Sequence, residues 1–251
     1  MQKYFLSKEE FEKKEIVSHC HHICDVMRMK INDEIIISVL GIPYIVNLSF
    51  VSSEKCLFDN ERMINEVTEL PVCVDLAQGY AKGEKMDYII QKATELGVSG
   101  IYPIVMKRSI VKIEENKKTS KLDRMQKISL EASRQSHRNI PSKIYPVFSL
   151  KEIDFSQYDK IIIAYEEKAH NNELCEFKKT LKSLKENESI LLVVGPEGGI
   201  DASEIAYLEE KGAISCSLGP RILRTETASL YMLSAISYEM ELKLWKLLFI
   251  P

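Results

Sequence analysis

The chain has 251 residues, 28% of them charged and 45% hydrophobic, with a formal net charge of −3. That length allows one large domain or two modest ones, and the composition excludes a globally basic nucleic-acid-binding chain while leaving room for a local basic face. No apolar run reaches the roughly 18 residues a membrane span needs. The N-terminal MQKYFLSKEEFEKK lacks the apolar core of a secretory signal. The six cysteines are scattered, with no CxxC pair, so a reduced, cytoplasmic protein is expected.

Residues 1–70 read as a small β-rich domain. Ser18 to Lys30 predicts a short helix. Asn32-Asp33 then turns into the strand EIIISVL, and Gly41-Ile42-Pro43 separates that from YIVNLSFV. His19, Cys20, His21, His22 and Cys24 fit no tetrahedral ligand spacing, so no metal is expected. Composition changes at Glu69-Leu70-Pro71, and residues 71–251 read as an α/β domain.

Its first strand is VCVDLAQ. Met86, Ile89, Ile90, Ala93 and Leu96 then share one helical face, which stops at Gly97. GIYPIVM is the next strand. From Lys107 to Lys143 there are eleven Lys or Arg against four Asp or Glu. A solvated helix interleaves both signs, so this excess suggests a phosphate-facing patch on and around a helix from Leu122 to His137. The strand KIIIA (Lys160–Ala164) and a helix from Asn171 to Glu186 follow. The last helix, Glu226 to about Lys246, is apolar over a wide arc that includes Leu244 and Trp245. Either a homodimer partner or the single-chain core covers it.

Chemistry concentrates in two loops. The apolar strand Ile190–Val194 runs into Gly195-Pro196-Glu197-Gly198-Gly199. Asp201 and Glu204 then have capping-box spacing for a helix. No Walker lysine and no GxGxxG is present. Gly198 and Gly199 allow positive φ and close approach of a flat ligand. A short strand, Ala213–Ser217, ends in Leu218-Gly219-Pro220-Arg221-Ile222-Leu223-Arg224-Thr225-Glu226-Thr227. Two arginines, a carboxylate and hydroxyls there suit anion recognition beside a reacting centre. Taken singly, either loop also reads as an ordinary strand-to-helix turn.

Together, LVVGPEGG and LGPRILRTETA resemble the RsmE family of ribosomal RNA uridine-N3 methyltransferases, of the SPOUT class. HHICDVMRMKINDEI, KGEKMDYIIQKATELGV, the Arg108-Ser109 pair and EASRQSHR extend the resemblance over nearly the whole chain. It implies an α/β trefoil-knotted methyltransferase domain behind a PUA-like β-barrel, with S-adenosylmethionine as cofactor. The partners implied are 16S rRNA or the small ribosomal subunit, and a second copy held through the knot and C-terminal helix. Gly195, Pro196, Glu197, Gly198, Gly199, Leu218, Gly219, Leu223 and Thr227 are then expected at the cofactor, with Tyr165-Glu166-Glu167 as a third loop. Arg28, Lys85, Lys92, Arg108, Arg134 and Arg138 are expected at RNA, with Lys82 and Gln91 near them. The uracil imide must lose its proton, which needs a base or cations. Arg221 and Arg224 are candidates to hold a phosphate or the developing charge. Glu226 is either the base or a partner of the last helix's first turn. A different RNA base, or a silent RNA-binding protein, are the alternatives; a dinucleotide oxidoreductase lacks its motif.

Overall fold

β-Branched and aromatic residues in alternation make the N-terminal quarter of the chain a sheet. The computed structural model describes residues 1–166 and 176–242. It divides into two units: Met1–Glu69 with Ser133–Pro141, and Leu70–Ala132 with the chain from Ser142 onward. Glu167, Asn171 and the rest of 167–175, and Leu244, Trp245 and Lys246 within 243–251, lie outside the described residues.

The first unit holds β1 (Lys3–Leu6), α1 (Lys8–Lys13), β2 (Glu15–Ile16), β3 (Glu34–Val39), β4 (Ile42–Val51) and β5 (Cys56–Met63). They form a five-stranded sheet in the order β1-β3-β4-β5-β2. β1 runs parallel to β3 and the other pairings are antiparallel. Two register shifts in β4 bend it. Ile35, Ile37 and Val39 alternate inward against Tyr4, Val46, Leu48 and Phe58. The helix expected over Ser18–Lys30 reduces to a π-helical turn at His22–Val26, beyond which Arg28 takes φ +52°. α1 was not foreseen. Ser7 and Glu10 cap it reciprocally, and the other Glu10 oxygen accepts from the Val17 and Ser18 N–H groups at 3.1 and 3.0 Å. Burial pushes the Glu10 carboxyl up, but these bonds outweigh it and hold the pKa at about 2.

Residues 133–141, expected as part of the second domain, are built into this first unit. The buried Lys3 ammonium donates to Asn139 Oδ1 and the His137 carbonyl, both at 2.7 Å. The Asn139 N–H donates to Glu69 at 2.9 Å, and Ser38 Oγ donates to the Asn139 carbonyl at 2.6 Å.

The second unit holds β6 (Cys73–Gly79), α2 (Glu84–Glu95), β7 (Gly100–Ile104), α3 (Glu115–Gln135, whose last three residues count with the first unit), β8 (Lys143–Ile144), β9 (Lys160–Ala164), α4 (Glu176–Lys182), β10 (Ser189–Val194), α5 (Ala202–Glu210), β11 (Ile214–Cys216) and α6 (Thr225–Ser237). The sheet order is β11-β9-β10-β6-β7-β8, and every pairing is parallel. Parallel strands are covered on both faces, which is why β9 and β10 read as unbroken apolar runs. Ile162, Ile190 and Leu192 face a core with α2 and α6, whereas Ile161, Ile163, Leu191 and Val193 face one with α5. Each such side chain stabilises the fold by ~1.5–3 kcal/mol, so the central strands anchor the glycine loops at their ends. α3 begins at Glu115 rather than Leu122 and ends at Gln135, while α6 passes into a π-helical turn at Tyr238–Leu242.

Asp75 is the charge inside this sheet, 4% exposed. Its Oδ2 accepts from the Tyr158 and Tyr145 hydroxyls at 2.6 and 3.2 Å. Burial still raises its pKa above the ordinary 3.8, the hydroxyls opposing it. The folded protein therefore holds this proton more tightly than the unfolded chain does. The group's stabilising contribution is full below pH 3.8 and is lost as pH rises through the folded value. Asp75→Asn keeps an acceptor for both hydroxyls. Urea midpoints between about pH 4 and 7 should fall for the parent protein relative to this variant as pH rises; parallel curves would remove Asp75 as the source.

Candidate active site

β11, β9 and β10 are neighbours that end at the same edge. The chain after each strand walls one cavity of about 410 Å³. Tyr165 and Glu166 follow β9, Gly195, Pro196, Glu197, Gly199 and Ile200 follow β10, and Ser217–Thr225 link β11 to α6. Carboxyl ends of parallel strands are where open α/β sheets bind ligands, and the volume suits a small molecule.

Sequence dictates how the β10 loop folds. A Cβ on Gly195 would lie 2.7 Å from Ile200, so no side chain fits there. Gly199 takes φ +75° and its N–H donates to the Pro196 carbonyl at 2.9 Å, closing a tight turn. Asp201 and Glu204 then cap α5 in the box their spacing predicts. Glu197 accepts from the Lys82 N–H at 3.1 Å and from Lys85 Nζ at 3.2 Å. Burial pushes its carboxyl up, but its own backbone N–H, Lys82 and Lys85 hold it below the usual range. Glu197 is thus an anionic clasp between this loop and the start of α2.

The β11 loop is open. Gly219 takes φ +126°, and nothing lies within 4 Å of where its Cβ would be. Ser217 Oγ braces it, accepting from the Gly219 N–H at 3.2 Å. Arg221 and Arg224 are exposed and line the cavity with Leu218 and Leu223. Lys85 lines it from α2.

Several expected residues stand elsewhere. A Gly198 Cβ would strike the Arg108 carbonyl oxygen at 2.6 Å, so this glycine permits backbone packing behind the loop and not approach of a ligand. Glu226 and Thr227 face a neighbouring groove of about 700 Å³ with Lys85, Tyr88 and Tyr231. There Glu226 Oε2 is buried with no hydrogen-bond partner among the described residues. Arg108 is half exposed and 3.6 Å from Asp201. Lys92 pairs with Glu95 at 2.8 Å on α2. Arg28 is exposed in the first unit, and the Arg134 guanidinium lies over the Tyr4 ring and bonds His19 there.

Arg138 is the clearest correction. It is 4% exposed, its Nε donates to Glu69 at 3.0 Å, and its Nη2 reaches the same oxygen. A phosphate contact needs an accessible guanidinium, and this one holds residues 133–141 in place. Arg138→Ala leaves Glu69 without its cation and is expected to destabilise the protein by roughly 3–5 kcal/mol, read from denaturant unfolding. A loss of a few tenths would make the pair a surface ornament.

Gln78, which supports the cavity walls from behind, and Thr225, which lines one of them, were not foreseen as site residues. The sequence signal for Gln78 was a polar side chain closing the apolar run VCVDLAQ.

The profile of the RNA methyltransferase domain family matches residues 68–237. The ribosomal RNA small subunit methyltransferase E of Bacillus subtilis (strain 168) is 41% identical, over 96% of this chain and 98% of its own length. The chain belongs to the ribosomal RNA small subunit methyltransferase E family. The member from Buchnera aphidicola subsp. Acyrthosiphon pisum is 31% identical, with 93% and 87% of the two chains covered. The crystal structure of the Neisseria gonorrhoeae member, bound to S-adenosyl methionine, superposes with a TM-score of 0.76 at 26% identity, over 94% of this chain and 97% of that one. The parallel sheet and the loops at its carboxyl edge are therefore a methyltransferase E architecture.

Proposed function

We propose that the protein transfers the methyl group of S-adenosylmethionine to N3 of a uridine in the 16S rRNA of the small ribosomal subunit. The observation that carries this reading is the cavity at the ends of β9, β10 and β11, walled by both signature loops. Its donor set fits the cofactor. Backbone laid open at Gly219 and apolar Leu218, Leu223 and Ile200 suit an adenosine. Glu166 and Lys85 with the two arginines offer both signs of charge to an amino acid moiety and a sulfonium. When bound, the cofactor supplies an electrophilic methyl group.

The chain's own residues do the rest. Arg221 and Arg224 hold the RNA phosphate or the negative charge that grows on the uracil as its imide proton leaves. Glu226, which faces the groove beside the cavity from the first turn of α6, is the carboxylate offered to accept that proton when RNA spans both. Arg108 and Lys85 offer charge to RNA at the rim. The reading extends to a SPOUT-type trefoil knot in residues 71–251 and a PUA-like barrel in residues 1–70 that grips RNA. It also includes a homodimer through the knot region and the C-terminal helix, supported by the exposed Tyr231 on α6 and Tyr238 and Leu242 in the π-helical turn after it. A ribosomal substrate implies work in the cytoplasm. Among the described residues no helix is long and apolar enough to cross a membrane.

The test is calorimetric titration with S-adenosylmethionine and, in parallel, NAD, followed by methyl transfer to small subunits and mass analysis of the modified nucleoside. Saturable binding of the first ligand and N3-methyluridine are expected. A methyl group on another base would keep the cofactor and replace the target; no binding even with subunits present would leave a silent RNA-binding protein.

A further inference from the structure

Gln78 is the next-to-last residue of β6, just before Gly79, and is fully buried. Its backbone pairs with Val194, the residue before the β10 loop. Its Nε2 donates to the Gly79 carbonyl at 2.9 Å and to Thr225 Oγ1 at 2.8 Å. Thr225 Oγ1 donates in turn to the Gly195 carbonyl at 2.5 Å. Ser229 Oγ, also fully buried, donates to Gln78 Oε1 and lies 3.1 Å from the Thr225 carbonyl.

This arrangement has one consistent assignment. A carbonyl cannot donate, so the amide nitrogen must face Gly79 and its oxygen must face Ser229. The Thr225 hydroxyl accepts from the amide and gives its one proton to Gly195. The amide's two N–H groups and its oxygen are all used, which makes the network rigid in a low-dielectric interior. For packing alone an apolar side chain would serve as well, since the neighbours Leu76 and Ala77 are apolar and buried. What the polar side chain adds is a link between two places. Gly195 opens one wall of the cavity and Thr225 closes the other.

We propose that Gln78 is a positioning residue that, through Thr225 and Ser229, fixes the spacing between the two cavity loops and so sets the affinity for the methyl donor. This rests on the reading of the cavity as an S-adenosylmethionine site. Thr225→Val keeps the shape, removes the hydroxyl, and strands both the Gln78 amide and the Gly195 carbonyl. Thr225→Ser keeps the hydroxyl.

The experiment measures hydrogen exchange of the ligand-free protein and, separately, S-adenosylmethionine affinity by calorimetry. In Thr225→Val, amides of 195–200 and of 217–224 should both exchange faster while those of β7 stay as they were. Donor affinity should fall roughly tenfold to a hundredfold, with Thr225→Ser close to the parent protein. In turnover the loss should sit in KM for the donor, with kcat largely recovered at saturation. Unchanged exchange at either loop, parent-like affinity in folded Thr225→Val, or equal losses in the valine and serine variants would overturn the proposal. Should the valine variant not fold, Ser229→Ala removes one oxygen from the same network and is read in the same way. If the parent protein binds no S-adenosylmethionine, the functional reading falls, and the exchange at the two loops decides the network by itself.

Discussion

Gly79→Ala should abolish ligand binding at the cavity and destabilise the protein by ~3 kcal/mol or more. A Cβ on Gly79 would lie 2.3 Å from the Pro196 nitrogen, 2.5 Å from its Cδ and 2.6 Å from the Gly195 carbonyl carbon. None of these belongs to the far end of a flexible side chain, so relief requires moving the β10 loop or the end of β6. β6 is held in register by β10 on one side and β7 on the other, which leaves the loop to move. That loop walls the cavity. A thermal melt together with a titration of S-adenosylmethionine checks this. A variant with parent-like melting and affinity would show that the end of β6 yields instead.

Arg224→Ala should lower methyl transfer by about 10²–10³-fold, the usual cost of deleting one charge-stabilising donor, while leaving the fold intact. Arg224 is the N-cap of α6, but its side chain makes no cap hydrogen bond and is exposed. Truncation therefore removes little that holds the protein together, and unfolding midpoints should match. Arg224→Lys restores the charge without the planar fork and should recover only part of the rate. Parent-like turnover by Arg224→Ala would take this side chain out of the site and leave Arg221 as the loop's working cation.

Periodicity made the central strands legible: β9 and β10 carry unbroken apolar runs, and α2 buries Met86, Ile89, Ile90 and Ala93 on one face. The two loops of the cavity were legible because glycine, proline and arginine cluster at strand ends. What the sequence could not disclose were properties that arise only after the chain has folded. Gly198 looks like Gly219 in a sequence, yet one meets the Arg108 backbone and the other meets open space. Arg138 looks like Arg108, yet one is buried against Glu69 and the other is half exposed beside Asp201. Gln78 becomes a structural hinge-pin only because Thr225 arrives beside it from 147 positions further along.

That separation has a temporal side. β6 finds its partner β10 more than a hundred residues downstream, with Gln78 opposite Val194, and β11 docks outside β9. Pairings so distant must wait for the intervening loop entropy to be overcome, and they fold slowly. A nascent chain emerging N-terminus first would complete its first strands long before any pocket existed, and would gain the capacity to hold a ligand only once Thr225 had been synthesised and docked. Ligand capture therefore reports that the fold has closed as far as Thr225, not the pairing of the strands before it.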